Sequence, residues 1–249
     1  MTKPYSVLMG KAVRYIARLR GGGSALPGLF VEKIDHTFVA DSLKQLPKGV
    51  VLVSGTNGKT TTTKMVVELL ESQGLKVFTN RTGSNFSRGV AAALLGEIDT
   101  RGKLDADIAV LELDEAHAVH FVDKVPPRYS LLLNVMRDQL DRFGEIDTTA
   151  KMLAHIGQST TEAVVVNRED PRLVTLASNL KNVHYFGLNE TLRSTFPSDD
   201  ELHGQAKTSE DRPNADVVLQ EVGEQATFTI NDQTVKTSLQ LQGIYNVFI

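Results

Sequence analysis

The run VVLVSGTNGKTTT, residues 50–62, leaves a chain few ways to fold. A β-branched strand, Val50 to Ser54, delivers the backbone to a glycine-bearing turn, and a helical stretch begins at once. Such a turn lets backbone N–H groups approach phosphate oxygens, and the helix N-terminus adds its dipole. Gly55, Thr56, Asn57, Gly58, Lys59, Thr60 and Thr61 are therefore expected to bind the phosphates of ATP. Lys59 is placed to stabilise the β- and γ-phosphates, and the Thr60 hydroxyl to ligate Mg2+. A plain strand–turn–helix connection is the bland alternative; Gly-Lys-Thr at the opening of a helix argues against it. The general phosphate-loop pattern has a glycine five residues before Gly58. Val53 stands there, so the first glycine is Gly55 and the loop is short.

The rest of the chain alternates in the same way. Thr60 to Gln73 reads as a helix with Met65, Val66, Leu69 and Leu70 on one face and Gly74 as its stop. Lys76–Thr79, Asp107–Leu113, Tyr129–Asn134 and Ala163–Asn167 read as strands, Val90–Leu95 as a helix, and Thr148–Gln158 as a helix capped by Asp147. Strand–helix alternation predicts an α/β fold: a mostly parallel sheet with helices on both faces. Residues 186–214 are polar and read as a long loop or insertion. The segments DVVLQEV, ATFTI and VKTSLQLQ then predict a C-terminal antiparallel β unit turning at Asn231-Asp232. The expected division is a lead-in, 1–48, and a nucleotide-binding domain, 49–249.

The lead-in begins with apolar Val7, Leu8, Ala12, Ile16 and Leu19 at helical spacing, interleaved with Lys11, Arg14, Arg18 and Arg20. Charges interrupt it too often for a secretory signal. A basic amphipathic helix remains, either packed on its own domain or touching a membrane surface. Gly21 to Gly23 would end it, and Pro27-Gly28 reads as a turn. No stretch reaches the ~20 apolar residues of a membrane span, so the chain is not expected to be transmembrane. Cysteine is absent, which excludes disulfides and thiolate zinc sites; no zinc is expected. A net charge of −3 gives no general attraction for nucleic acid.

Other candidates lie at strand ends, where ligands bind in open α/β sheets. Glu112, beside Asp114 and Glu115, is placed either to hold Mg2+ or simply to face solvent. Asn134, Asp138, Asp141 and Arg142 form either a polar wall of the nucleotide site or a solvated helix start. Asn80, Arg81 and Asn85 suit substrate or phosphate contact as well as an ordinary polar loop. His117 and His120, three apart, read as helix surface for want of a third metal ligand, and Lys151 as a solvated helix lysine.

The short form GTNGKT resembles the Mur ligase family, which includes the folylpolyglutamate synthetases. Within it, GGGSALPG (21–28), LELDEA (111–116) and above all NVMRDQLDRFGE (134–145), with Gln139 after Asp138, are similar to the isoglutaminyl synthase branch. The resemblance implies an ATP- and Mg2+-dependent ligase that activates the D-glutamate carboxylate of lipid II as an acyl phosphate. Ammonia would come from a GatD-like glutaminase partner. It implies a cytoplasmic protein of cell wall synthesis, in one reading peripheral at the inner membrane face, and it favours Glu112 as a Mg2+ ligand. It also makes Asn246 an adenine-side residue. Family members follow that position with a second Asn and a C-terminal ligase domain that supplies the catalytic acid. Here Ile249 stands at the second position, so the expectation is that this domain is absent, that no catalytic residue beyond Lys59 is assignable, and that the chain alone forms no product. The competing readings are a folylpolyglutamate-synthetase-like ligase, a non-catalytic nucleotide-binding scaffold, and a GTPase. The last rests on Asp141 to Gly144 (DxxG) and Asn167 to Asp170 (near NKxD).

Overall fold

The structure, a computed structural model, describes residues 3–19, 26–80, 87–137, 145–197, 212–238 and 248. Helices α1 (Pro4–Leu19), α2 (Leu26–Ile34) and α3 (Phe38–Leu43) precede the sheet. Then β1 (Val50–Ser54), α4 (Lys59–Ser72), β2 (Val77–Thr79), α5 (Ser87–Glu97), β3 (Ile108–Glu112), α6 (Glu115–Val122) and β4 (Tyr129–Leu132) alternate. They continue through α7 (Glu145–Ser159), β5 (Ala163–Asn167), α8 (Pro171–Ala177) and β6 (Val183–Leu188) to a run of strands, β7 (Val217–Val222), β8 (Gln225–Ile230) and β9 (Gln233–Ser238).

All nine strands form one sheet in the order β2-β3-β1-β4-β5-β6-β7-β8-β9. Pairing is parallel from β2 through β7 and antiparallel between β7, β8 and β9. The mostly parallel sheet and the antiparallel C-terminal strands match the sequence expectation, with one refinement. The antiparallel strands are an extension of the same sheet, because β7 docks parallel on β6. The strand β6 also reaches into the segment that reads as a loop: Phe186, Gly187 and Leu188 pair with Val217, Val218 and Leu219. Asn231 and Asp232 both have positive φ, 47° and 64°, which suits a two-residue turn whose twist matches the flanking strands.

Successive strand residues point to opposite faces. Val50, Leu52, Ala109 and Leu111 face the larger core, shared with helices α5 to α8, while Val51, Val53, Ile108 and Val110 pack against Val67 of α4. Both faces are thus covered, which is why β1 and β3 are almost uninterruptedly apolar. On α4 the buried positions are Thr62, Thr63 and Val67, and Leu69, expected on the inner face, is exposed.

Three local expectations are corrected. Pro27 and Gly28 lie inside α2, not in a turn. A proline in a first helical turn gives up no intrahelical bond, and a Cβ at position 28 would stand 1.9 Å from the Arg88 carbonyl oxygen of α5, so only glycine permits that approach. Asp147 sits within α7 and does not cap it, since the helix begins at Glu145. On α1 the predicted stripe is split: Val7 is fully buried, but Leu8, Ile16 and Leu19 face outward.

Candidate nucleotide site

The topology alone marks a crevice. Strand β1 lies between β3 and β4, so the connections leaving β1 and its neighbours diverge there, and ligands bind at the carboxyl ends of such strands. The loop 55–58 emerges at that point. Gly55 has φ 138° and Gly58 φ 84°, conformations that side chains rarely adopt. A Cβ at Gly55 would also stand 3.0 Å from the Asn134 backbone nitrogen. Gly58 directly precedes Lys59, the first residue of α4, so the helix N-terminus opens on the loop.

Lys59 curls back over that loop. Its Nζ donates to the carbonyl oxygens of Gly55, at 2.5 Å, and Thr56, at 3.0 Å, and lies 4.0 Å from Glu115. Thr60 donates its hydroxyl to Oε1 of Glu112 at 2.8 Å. Lys59, Thr60 and Glu112, assigned separately from sequence, are therefore gathered at the ends of β1 and β3. Glu115 is buried, and burial pushes its carboxyl above the usual range although Lys59 opposes the shift. Asp114 accepts from the Ala116 N–H as the cap of α6.

Asn80 and Asn134, each read either as a ligand contact or as ordinary polar structure, bond their side chains to backbone groups of the protein. Asn134 accepts from the Asn57 N–H at 2.8 Å and donates to the Asn57 carbonyl at 3.1 Å, so both backbone groups at the tip of the loop are held by one amide. Asn80 does the same for Glu112: it accepts from the Glu112 N–H and donates to its carbonyl. The Thr56 hydroxyl accepts from the Met136 N–H at 3.0 Å. Asn167 donates to the Leu133 carbonyl and accepts from the Glu169 N–H. Asp170 caps α8 and takes the Val135 N–H at 2.6 Å; burial raises its pKa despite these bonds. Asn167 and Asp170 are thereby committed to the framework, which removes the structural basis for reading them as guanine-specific. Their bracing role had one legible signal, Asp170-Pro171, an N-cap followed by a first-turn proline. Asp138, Asp141, Arg142, Arg81, Asn85 and Asn246 lie outside the described residues. Lys151 is exposed on α7.

The residues present fit Mg2+ and a triphosphate. One hydroxyl and one carboxylate at 2.8 Å suit an ion that keeps most of its shell as phosphate oxygens and water. Among the described residues no group of three or more His, Cys, Asp or Glu converges.

A parallel sheet with a glycine-turn phosphate loop at its switch point defines a nucleotide-binding α/β domain, and its particular kind is settled by sequence. The chain belongs to the Mur ligase family: the family's middle-domain model matches residues 53–248. It is 35% identical over 74% of its length to the MurT subunit of the glutamine-hydrolysing lipid II isoglutaminyl synthase of Streptococcus pneumoniae, covering 40% of that protein. To the MurT subunit of Staphylococcus aureus N315 it is 30% identical over 74% of its length, covering 41%. The chain thus spans about two fifths of the length of these relatives. Among solved structures, the MurF ligase of Thermotoga maritima in complex with ADP matches with a TM-score of 0.61 at 22% identity, over 82% of this chain and 44% of that one. MurF of Acinetobacter baumannii matches with 0.63 at 20%, over 89% and 44%. These two likenesses bear on the fold alone. No helix among the described residues is long and apolar enough to cross a membrane.

Proposed function

We propose that the chain is the nucleotide-binding portion of an ATP-dependent amide ligase that amidates the D-glutamate of lipid II to D-isoglutamine. The observation that carries this reading is the convergence of Lys59, Thr60 and Glu112 on a short GTNGKT loop, in a chain similar to MurT subunits. In the proposed reaction a carboxylate oxygen of the acceptor takes the γ-phosphoryl group and ADP leaves. Ammonia, supplied by a GatD-like glutaminase, then attacks the acyl carbon and phosphate departs. Lys59 would leave the loop carbonyls to meet the phosphates, and Thr60 and Glu112 would together hold one Mg2+, which neutralises phosphate charge. With the Thr56 and Asn57 N–H groups held by Asn134, the N–H groups at the start of α4, from Gly58 to Thr60, would bind the phosphates. The 249-residue chain by itself should bind ATP and form no amide product.

The test uses a protein of the relatives' length, built by appending a MurT C-terminal region, together with a glutaminase partner. Glutamine-dependent transfer of ammonia to lipid II is the expected result. Extension of folates with glutamate instead, or amidation of lipid II by the 249-residue chain unaided, would overturn the reading. For the metal, Glu112→Gln and Thr60→Val should each raise the Mg2+ concentration needed for ATP binding. A nucleotide-bound structure with Glu112 far from the ion would refute the pairing.

A further inference from the structure

Helix α1 presents its apolar side to solvent. Its inner face is made of small residues, Ser6, Gly10 and Ala17 with Val7, all buried. The helix packs on α2 and α5 so closely that a Cβ at Gly10 would meet Leu95 at 2.6 Å. The outer face carries Tyr5, Leu8, Met9, Tyr15, Ile16 and Leu19, which are 46–70% exposed. At 100° per residue these six fall within an arc of about 120°, an unbroken apolar stripe along the whole helix. The next helix, α2, adds exposed Leu26 and Leu29, so eight of the eleven large apolar side chains exposed among the described residues belong to these two helices.

Within α1 itself the charge is of one sign only. Lys3, Lys11, Arg14, Arg18 and Arg20 fall in the first 31 residues, whereas all 30 acidic residues of the chain come later. Lys11 and Arg18, seven apart and so on one line of the helix, border the apolar arc on the side of Tyr15. Arg14 is turned inward, its guanidinium against Gly96 of α5. Apolar surface of this extent on a water-soluble domain marks a contact site. An apolar stripe with a basic border, no acid and two tyrosines suits the headgroup–acyl boundary of a bilayer, where amphipathic rings settle and anionic lipids attract lysine and arginine.

We propose that α1 lies in the plane of an anionic bilayer surface, with its outer face in the headgroup region and Lys11 and Arg18 on lipid phosphates. This deepens the lipid II reading by saying how the domain meets the membrane that carries such a substrate. It is tested without turnover, so that either idea fails alone.

The experiment is flotation of the 249-residue chain with vesicles of phosphatidylcholine, with or without about one third phosphatidylglycerol. The chain should float with the anionic vesicles, remain behind with phosphatidylcholine alone, and release as salt rises. The double variant Leu8→Glu/Ile16→Glu should keep the wild-type melting midpoint and ATP affinity while its partitioning falls by roughly tenfold or more. Lys11→Gln/Arg18→Gln should lower partitioning onto the anionic vesicles by roughly tenfold. Absence of flotation, or flotation unchanged in Leu8→Glu/Ile16→Glu, overturns the proposal. So does a wild-type dimer in sedimentation that Leu8→Glu/Ile16→Glu dissociates without any lipid binding, because the face would then belong to a second copy. A protein that amidates detergent-solubilised lipid II yet ignores vesicles would sink this proposal and leave the function intact.

Discussion

Strands β1 and β9 belong to the same sheet and differ by one residue in length, yet every side chain of β1 is buried and every side chain of β9 is exposed. The contrast divides the molecule. Around β1, helices cover both faces, and the strand ends are tied to one another by side-chain amides: Asn80 to Glu112, Asn134 to Asn57, Asn167 to Leu133. Around β9, among the described residues, a small cluster, Leu188, Phe196, Leu219 and Ala226 with Phe228 and Phe248 packed against it, anchors the hairpin. The phosphate loop sits where the backbone is over-determined. Precise placement of donors before a ligand arrives is what makes them effective, and the β1 region supplies it.

The largest expected effect of this contrast is on stability. Leu111→Ala, at a fully buried position of β3, should cost about 2–5 kcal/mol, whereas Val235→Ala on β9 should change stability by no more than about 0.5 kcal/mol. Urea unfolding of both variants measures this, and equal costs would break the comparison. Next in size is Lys59→Ala. It should lower ATP affinity by roughly 100-fold, the loss of charge-assisted bonds to phosphate, and leave the thermal midpoint in place because the side chain packs no core. Unchanged affinity by calorimetry would remove Lys59 from the site.

A smaller effect separates bracing from binding. Asn134→Ala removes both bonds to Asn57 and should cost about 1–2 kcal/mol of stability and roughly tenfold in ATP affinity by loosening the loop. Gln220→Ala, which loses bonds to Thr229 and Asn189 in the hairpin region, should leave affinity untouched. Full affinity in Asn134→Ala would show that the loop holds its shape without the amide.

The smallest effects are pH dependences of opposite sign in the two regions. Burial raises the folded pKa of Glu115 above 4.5. The fold therefore binds its proton more tightly than the unfolded chain does, and wild type should lose stability relative to Glu115→Gln as pH rises from 4.5 through the folded value. Asp216, leading into β7, is also pushed up by burial, but the Tyr185 N–H at 2.8 Å and the His184 ring outweigh this and hold its pKa below 3.8. Its contribution is present above 3.8 and should fade as pH falls through the folded value, relative to Asp216→Asn. Melting curves against pH for the two pairs decide the matter, and slopes of the same sign would contradict one of the two assignments.

The sheet strands were legible because their causes are local. Val50–Ser54 and Ala163–Asn167 were read from sequence with the bounds the structure gives them, since burial on both faces demands a continuous apolar run between turn residues. The glycine turn after β1 was legible because side chains rarely adopt the backbone angles found at positions 55 and 58. The helices α2, α3 and α8 and the strand β6 were not read. They are short, and β6, with half-exposed side chains at several positions, lacks a clean period. For Asn80 and Asn134 the sequence left ligand contact and ordinary polar structure both open, because an asparagine at a strand end looks the same whether its amide faces a phosphate or a neighbouring backbone.

By itself, then, the sequence determined the class of fold and marked the loop 55–61 and, separately, Glu112 as candidates. Each depends on near neighbours in the chain: apolar period, backbone freedom, and the position of an acid after a strand. Only the tertiary structure decided which partners lie across 77 residues, as Asn57 and Asn134 do, or across 52, as Thr60 and Glu112 do at 2.8 Å. It also decided which way α1 turns. An amphipathic pattern fixes that a helix has two unlike faces, but the face that packs is chosen by what it meets. Against Leu95 of α5 the close approach admitted only the small side, Gly10 and its neighbours, and sent Leu8, Ile16 and Leu19 outward.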